Sequence, residues 1–323
     1  MLCLGIEGTA HTVGIGIAEA RKILANVSKV YIPKDGIHPR EAANAHAKNI
    51  LPVLQEALKK ADVDIKELEL VAFSQGPGLG PCLRTVATAA RALSLSLKIP
   101  IIGVNHCIAH LEIGRSLTKC RDPVLLYVSG GNTQVISFSN SKYRVFGETL
   151  DIGIGNLLDK FGRIVGLPFP CGPEIERQAK KGTKLIDLPY SIKGMDVAFS
   201  GILTAALHLI NIEKLEDICY SLQETTFAML TEVTERAMAH LDKKEILLGG
   251  GVACNKRLQE MLDDMCKSRG AKLFVPAPQF CVDNGAMIAL TGLLMYKSGI
   301  RMKIEDSEIK QRFRTDDVDV RWR

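Results

Sequence analysis

Apolar residues along this chain switch between strand-like runs and helix-like spacing, and the switches come in the same order twice. Residues 2–7 (LCLGIE) and 12–18 (TVGIGIA) are β-rich runs. Between them, Gly8-Thr9-Ala10-His11 sets a glycine and a hydroxyl at the tip, which predicts a hairpin. A third strand is expected over 23–31. From Glu41 to Lys60 the apolar residues Ala42, Ala45, Ile50, Val53, Leu54, Ala57 and Leu58 fall at helical spacing and predict a long amphipathic helix. Leu68 to Ser74 reads as a buried strand running into Gln75-Gly76-Pro77-Gly78-Leu79-Gly80, a turn expected to expose backbone N–H groups to a ligand. A helix over 83–97 and a short strand over 99–104 complete the first series.

From Pro123 the series begins again. Residues 124–129 (VLLYVS) and 133–138 (TQVISF) are strands joined by Gly130-Gly131-Asn132, a strong hairpin signal. A third strand is expected near 142–146, and helices fill much of 155–240. Glu245-Ile246-Leu247-Leu248 then runs into Gly249-Gly250-Gly251 ahead of a helix over 255–267. Hairpin 4–17 matches 125–138, and strand with glycines 70–78 matches 246–251. Such a repeat predicts an α/β fold of two duplicated lobes whose glycine turns face one another across a central cleft. We expect one lobe over 1–118, a second with a helical insertion over 119–300, and a tail over 301–323 packing back on the lobes. Glycine turns often do no more than join strands to helices. Four at matched positions favour a nucleotide cleft, where hairpin N–H groups hold phosphates and a glycine turn admits adenine or ribose.

Composition narrows the picture only a little. With 323 residues, 46% hydrophobic and 24% charged, the chain is ordinary for a globular protein of two lobes. A net charge of +5 permits a polyanionic partner without requiring one. Nine cysteines contain no Cys-x-x-Cys pair, which excludes a zinc ribbon and a small disulfide framework and leaves buried thiols in a reducing cytosol. Met1 to Gly5 enters a strand with no basic leader region, and no apolar run has the length of a membrane span. A cytoplasmic protein is expected.

Candidate chemistry starts at Asn105-His106-Cys107-Ile108-Ala109-His110, where a strand hands over to a helix. On a helix His106 and His110 share a face, as two metal ligands would, or as two surface histidines. Asp283, ahead of a Gly-Ala-Met-Ile-Ala helix start, is either a helix cap or the third ligand of an open two-His, one-carboxylate site. Tyr127 would add a phenolate or a hydrogen bond to such a site, or serve as a half-buried strand aromatic. Asp159 and Glu176 each sit in a helix near a glycine-bearing loop, where carboxylates suit ribose hydroxyls or simply face solvent. Asn255 begins a helix and would cap it or meet a purine. Lys180, Lys181, Lys184, Lys310, Arg312, Arg314, Arg321 and Arg323 are available to the phosphates of a polyanionic partner or to solvent. The chain has no phosphate-loop lysine motif, no Gly-x-Ser-x-Gly elbow and no His-Glu-x-x-His motif, which disfavours a zinc protease of the usual kind.

Six ordered strings carry a family resemblance: Gly5-Ile6-Glu7-Gly8-Thr9-Ala10-His11, Ser74-Gln75-Gly76-Pro77-Gly78, Gly103 to His110, Tyr127-Val128-Ser129-Gly130-Gly131-Asn132-Thr133-Gln134, Lys193 to Gly201, and Asp283-Asn284-Gly285. Together, over residues 2–322, they resemble the universal tRNA threonylcarbamoyladenosine synthase family. The opening Glu-Gly-Thr-Ala-His and the closing Phe313-Arg314-Thr315-Asp316 to Trp322 are similar to its archaeal and eukaryotic branch, the catalytic subunit of the KEOPS complex, with an archaeal source expected.

The resemblance implies an actin-like, hexokinase-like, Hsp70-like ATPase fold. It implies transfer of a threonylcarbamoyl group from threonylcarbamoyl-AMP to N6 of the adenosine 3′ of the anticodon in tRNAs reading ANN codons, with release of AMP. The family's metal ligands fall on His106, His110 and Asp283, with Tyr127 near the metal, iron being favoured and zinc possible. Its adenylate contacts fall on Tyr127, Val128, Ser129, Gly130, Gly131, Asp159, Gly172, Glu176 and Asn255, with ATP as a bound analogue. Its partners are tRNA, a small kinase-like ATPase, that protein's activator and a dimerising subunit. One departure is that Cys171-Gly172-Pro173 stands where the family commonly shows Gly-Gly-Pro, and a side chain there would tighten the ribose pocket. Rival readings are a small-molecule kinase of the same fold, a metallopeptidase, and a non-enzymatic nucleotide- or DNA-binding subunit.

Overall fold

In a computed structural model, which describes residues 1–32 and 38–323, strand β1 (Leu2–Glu7) pairs antiparallel with β2 (Thr12–Glu19), and β2 with β3 (Lys22–Val30). Helix α1 (Pro39–Ala61) leads to β4 (Leu70–Gly76), α2 (Gly80–Leu97) to β5 (Ile101–Asn105), and α3 (His106–Leu117) follows at once. β4 lies parallel to β1 and β5 parallel to β4, so the sheet order is β3-β2-β1-β4-β5. The carboxyl ends of the three parallel strands thus lie side by side, where α/β sheets place their ligands.

The second series repeats this plan. β6 (Val124–Val128), β7 (Thr133–Ser139) and β8 (Lys142–Glu148) are followed by α4 (Ile154–Ile164) and α5 (Cys171–Ala179). A small ribbon of β9 (Ile192–Lys193) and β10 (Asp196–Val197) precedes α6 (Ser200–His208) and the long α7 (Leu215–Leu241). Then come β11 (Glu245–Gly249), α8 (Lys256–Ser268), β12 (Lys272–Phe274), α9 (Pro278–Cys281) and α10 (Gly285–Lys297). The sheet order β8-β7-β6-β11-β12 has the same connectivity as the first sheet, with β11 parallel to both β6 and β12. Each series buries its own apolar cluster, one around Leu4, Ile15, Phe73 and Val86, the other around Leu126, Phe161, Leu222 and Leu248.

The division between the two units does not fall where the sequence places it. One unit comprises Met1–Leu117, Ser139–Tyr143 and Asp283–Arg323; the other comprises Thr118–Phe138 and Arg144–Val282. Residues 283–300, assigned from sequence to the second lobe, therefore belong to the first. The reason is α10, which is apolar almost all round and so needs a bed on more than one side. It finds that bed on β1, β2, β4 and α3. Close approach is made possible by Gly5, where an added Cβ would lie 2.1 Å from the Ala289 backbone nitrogen.

The tail also packs on the first unit. Lys310 N donates to Gln75 O at 2.8 Å, Arg91 Nε to Ser307 Oγ at 2.7 Å, and Trp322 Nε1 to Glu112 Oε1 at 2.9 Å. Buried Glu112 also takes the Tyr143 hydroxyl and, at 2.7 Å, Arg115, so a single carboxylate on α3 gathers the tail and the tip of the β7–β8 hairpin. Among the described residues, no helix is long and apolar enough to cross a membrane.

Candidate functional site

Asn105 closes β5 and starts α3. Its Oδ1 accepts the Cys107 and Ile108 amides at 3.0 and 3.2 Å, the usual way a short polar side chain satisfies open helix donors. With the helix starting at His106, His106 and His110 lie one turn apart on one face, ring centroids 4.8 Å apart and edge to face. Both are buried. Asp283 does not cap α10; Asn284 does, accepting the Met287 amide at 2.9 Å. Freed from capping, Asp283 places Oδ1 3.4 Å from His106 Nε2 and 3.3 Å from His110 Nε2. One ligand atom from each of the three residues lies within 4.8 Å of the others.

The electrostatics suit a cation. Burial works to raise the Asp283 carboxyl, but the two imidazoles outweigh it and hold the group well below the usual carboxylate range. Burial pushes His110 down, favouring the neutral ring that can offer a lone pair. Burial also lifts the Cys107 thiol to about 11, so this cysteine between the histidines is no thiolate nucleophile at neutral pH. Two imidazoles and one carboxylate converging in a buried place form a donor set compatible with a metal ion. The residue sequence reasoning missed is Glu7, fully buried, with Oε2 3.0 Å from His106 Nδ1. Its signal is an acid ending an otherwise apolar strand, LCLGIE.

In the second unit the expected adenylate residues fall into three local groups. The turn after β6 is held by Ser129 N to Asn132 O at 2.8 Å, and it rests on the start of α4 through Asn156 N to Gly130 O at 2.9 Å. Tyr127 is buried in β6 beside Gly249, and Val128 pairs with Thr133. A Cβ at Gly131 would meet nothing within 4 Å, and one at Gly172 only Leu158 Cδ1 at 3.9 Å. Asp159 accepts the Cys171 amide at 2.8 Å. Glu176 accepts the Lys256 amide at 3.3 Å, next to Asn255, which caps α8 through Arg257 N at 2.9 Å and donates to Gln223 Oε1 at 3.0 Å.

The Cys171 side chain is buried between α4 and α5, where a Cβ at Gly162 would lie 2.3 Å from the Cys171 Cβ. One sequence expectation is corrected. The glycine turn 75–80 is not open to a ligand, because the tail covers it. A Cβ at Gly76 would lie 1.8 Å from Lys310 O, and Gly78 N donates to Gln311 O at 3.2 Å. Of the basic candidates, Lys180, Lys184, Arg314 and Arg321 pair with neighbouring acids, Lys310 lies over Phe313, and Arg323 over Tyr143.

A family model described as tRNA N6-adenosine threonylcarbamoyltransferase matches residues 22–290. The chain belongs to this family. It is 58% identical over 325 residues to the tRNA N6-adenosine threonylcarbamoyltransferase of Thermococcus sibiricus, covering 100% of both chains. It is 59% identical over 323 residues to the bifunctional tRNA threonylcarbamoyladenosine biosynthesis protein of Methanosarcina mazei, covering 99% of this chain and 59% of that protein. It therefore spans about three fifths of the length of such bifunctional relatives. Among solved structures, Thermococcus kodakarensis HypF has a TM-score of 0.67 at 14% identity, covering 92% of this chain and 48% of that one. Component A of the Acidaminococcus fermentans (R)-2-hydroxyglutaryl-CoA dehydratase has a TM-score of 0.56 at 14% identity, covering 90% and 97%. At such identities the likeness is one of fold, an α/β unit built twice.

Proposed function

We propose that this chain transfers a threonylcarbamoyl group from threonylcarbamoyl-AMP to N6 of the adenosine 3′ of the anticodon in tRNAs reading ANN codons, releasing AMP. The observation that carries the reading is the buried His106, His110 and Asp283 cluster in a member of the threonylcarbamoyltransferase family. His106, His110 and the Asp283 carboxylate would hold the ion, iron in preference to zinc, and a bound ion would supply Lewis acidity for the carbamoyl oxygen. The second unit supplies the adenylate contacts: the turn from Tyr127 through Gly131 for the phosphate, with Gly131 open for close approach, and Asp159, Gly172, Glu176 and Asn255 for the nucleoside.

The adenosine amine attacks the carbamoyl carbon directly, the bond from that carbon to the phosphate oxygen breaks, AMP leaves with the electron pair, and the proton displaced from N6 passes to water. The protonated state of Cys107 supports transfer without a covalent enzyme intermediate. Acting in the cytoplasm, the chain works with a small kinase-like ATPase, that protein's activator and a dimerising subunit, which hold much of the tRNA. The pairing of four basic candidates with their own neighbours supports a modest direct grip on RNA.

The test is a reconstituted mixture of the chain, these partners, tRNA and threonylcarbamoyl-AMP, read by the mass of the modified nucleoside. His106→Ala should abolish modification while the variant stays folded by circular dichroism. Unchanged modification by that variant removes the ion from the reaction, and ADP release from ATP with a small acid or sugar and no tRNA replaces the reading with kinase chemistry.

A further inference from the structure

Glu7 is a carboxylate with no exposed surface at the end of the central strand of its sheet. Leaving such a group without strong partners costs several kcal/mol, roughly. Its Oε1 accepts the Thr9 amide and the Thr9 hydroxyl, each at 2.8 Å. Its Oε2 lies 3.0 Å from His106 Nδ1. A carboxylate oxygen accepts, so this contact is a hydrogen bond in the tautomer that carries its hydrogen on His106 Nδ1. Thr9 Oγ1 is also 3.4 Å from Nδ1, but its proton is already given to Glu7, so it too can only accept there. A neutral imidazole protonated at Nδ1 has its lone pair at Nε2, the atom that faces Asp283 at 3.4 Å.

We propose that Glu7 is a positioning residue: by accepting a hydrogen bond from His106 Nδ1–H it selects the tautomer and ring orientation in which Nε2 is the ligand atom. The inference rests on the metal reading above. Thr9 orders the same carboxylate from its other oxygen, and Gly8 N donating to Ser74 Oγ at 3.1 Å pins the turn between them to β4. The opening Glu-Gly-Thr string of the chain thereby acquires a task, that of aiming a histidine 99 residues away.

The experiment is a chelator-competed Co(II) titration of the full-length chain, followed by visible absorbance. Glu7→Ala should weaken Co(II) binding about 10- to 100-fold, as loss of a ligand's outer partner does. Glu7→Asp should recover part of the loss, and the near-isosteric Glu7→Gln should fall between. In the Zn(II)-loaded wild type, a 1H–15N spectrum should show His106 protonated at Nδ1. Folded Glu7→Gln and Glu7→Ala proteins that bind Co(II) within twofold of wild type overturn the proposal while leaving the metal reading standing. So does a His106 ring protonated at Nε2 in the wild type, which needs no variant to fold. If wild type and His106→Ala bind Co(II) equally, the metal reading fails first and Glu7's role with it.

Discussion

The two units repeat a hairpin turn and a glycine turn, and pack them differently. In the first, the glycines after β4 are a seat for the protein's own tail: Lys310 and Gln311 lie against Gly76 and Gly78, and Leu79 N donates to Thr9 O at 2.7 Å. In the second, Gly250 packs tightly under Val128 at a φ of +93°, but Gly131 has no neighbour for a Cβ within 4 Å and Gly251 only Val282 Cγ1 at 4.0 Å. The first unit, with its turn closed, carries the histidines and Asp283. The second leaves Gly131 and Gly251 open. A repeated strand order therefore transmits a scaffold, and what later packs on each copy decides whether a glycine is packed over or left open.

The largest test of that contrast is Gly76→Ala. A Cβ there meets a backbone carbonyl at 1.8 Å and the residue has a φ of +152°, so the variant should lose about 3 kcal/mol or more, read from the urea midpoint. Gly131→Ala should stay within about 0.5 kcal/mol of the parent in the same titration. Similar losses in both would dissolve the distinction.

Gly131→Ala should instead weaken AMP binding about tenfold, or roughly 1.4 kcal/mol by calorimetry, because its methyl group occupies the open approach. An unchanged AMP affinity would mean that the open turn is not the phosphate site. Next in size is Asn105→Ala, which removes the α3 cap and the Asn105 Nδ2 contact to Phe313 O at 3.0 Å. It should cost about 1–2 kcal/mol in a melt and loosen the tail, so that limited proteolysis cuts after residue 300 sooner than in wild type.

The smallest effect concerns Asp217, which ties the segment after α5 to α7 of the second unit. Amides of Lys184 and Thr183 donate to its carboxylate, at 2.9 and 2.7 Å, and hold it below the usual carboxylate range. A depressed folded value means the stability it lends is present above the unfolded pKa and is lost as pH falls through the folded one. The melting-temperature gap between wild type and Asp217→Asn should be constant near neutrality and shrink once the pH drops below about 4. A gap that widens on acidification would contradict the assignment.

What the sequence determined alone was local. Alternating and helical spacing placed most strands and helices of both series, though not β9, β10 or β12, the hairpin residues joined them in matching order, and a strand ending at Asn105 put His106 and His110 on one helical face. Both readings of Asp283, cap or ligand, were also visible, but spacing could not choose between them. The tertiary structure chose. Asp283 meets His110 across 173 residues because α10 needs an apolar bed that the first sheet provides, and Glu7 meets His106 across 99 for the same kind of reason. The covering of Gly76 by the tail and the burial of Cys171 against Gly162 were equally out of reach. Periodicity reports which face of an element avoids water; which other element covers that face is settled by packing between segments far apart in the chain, and no local pattern encodes it.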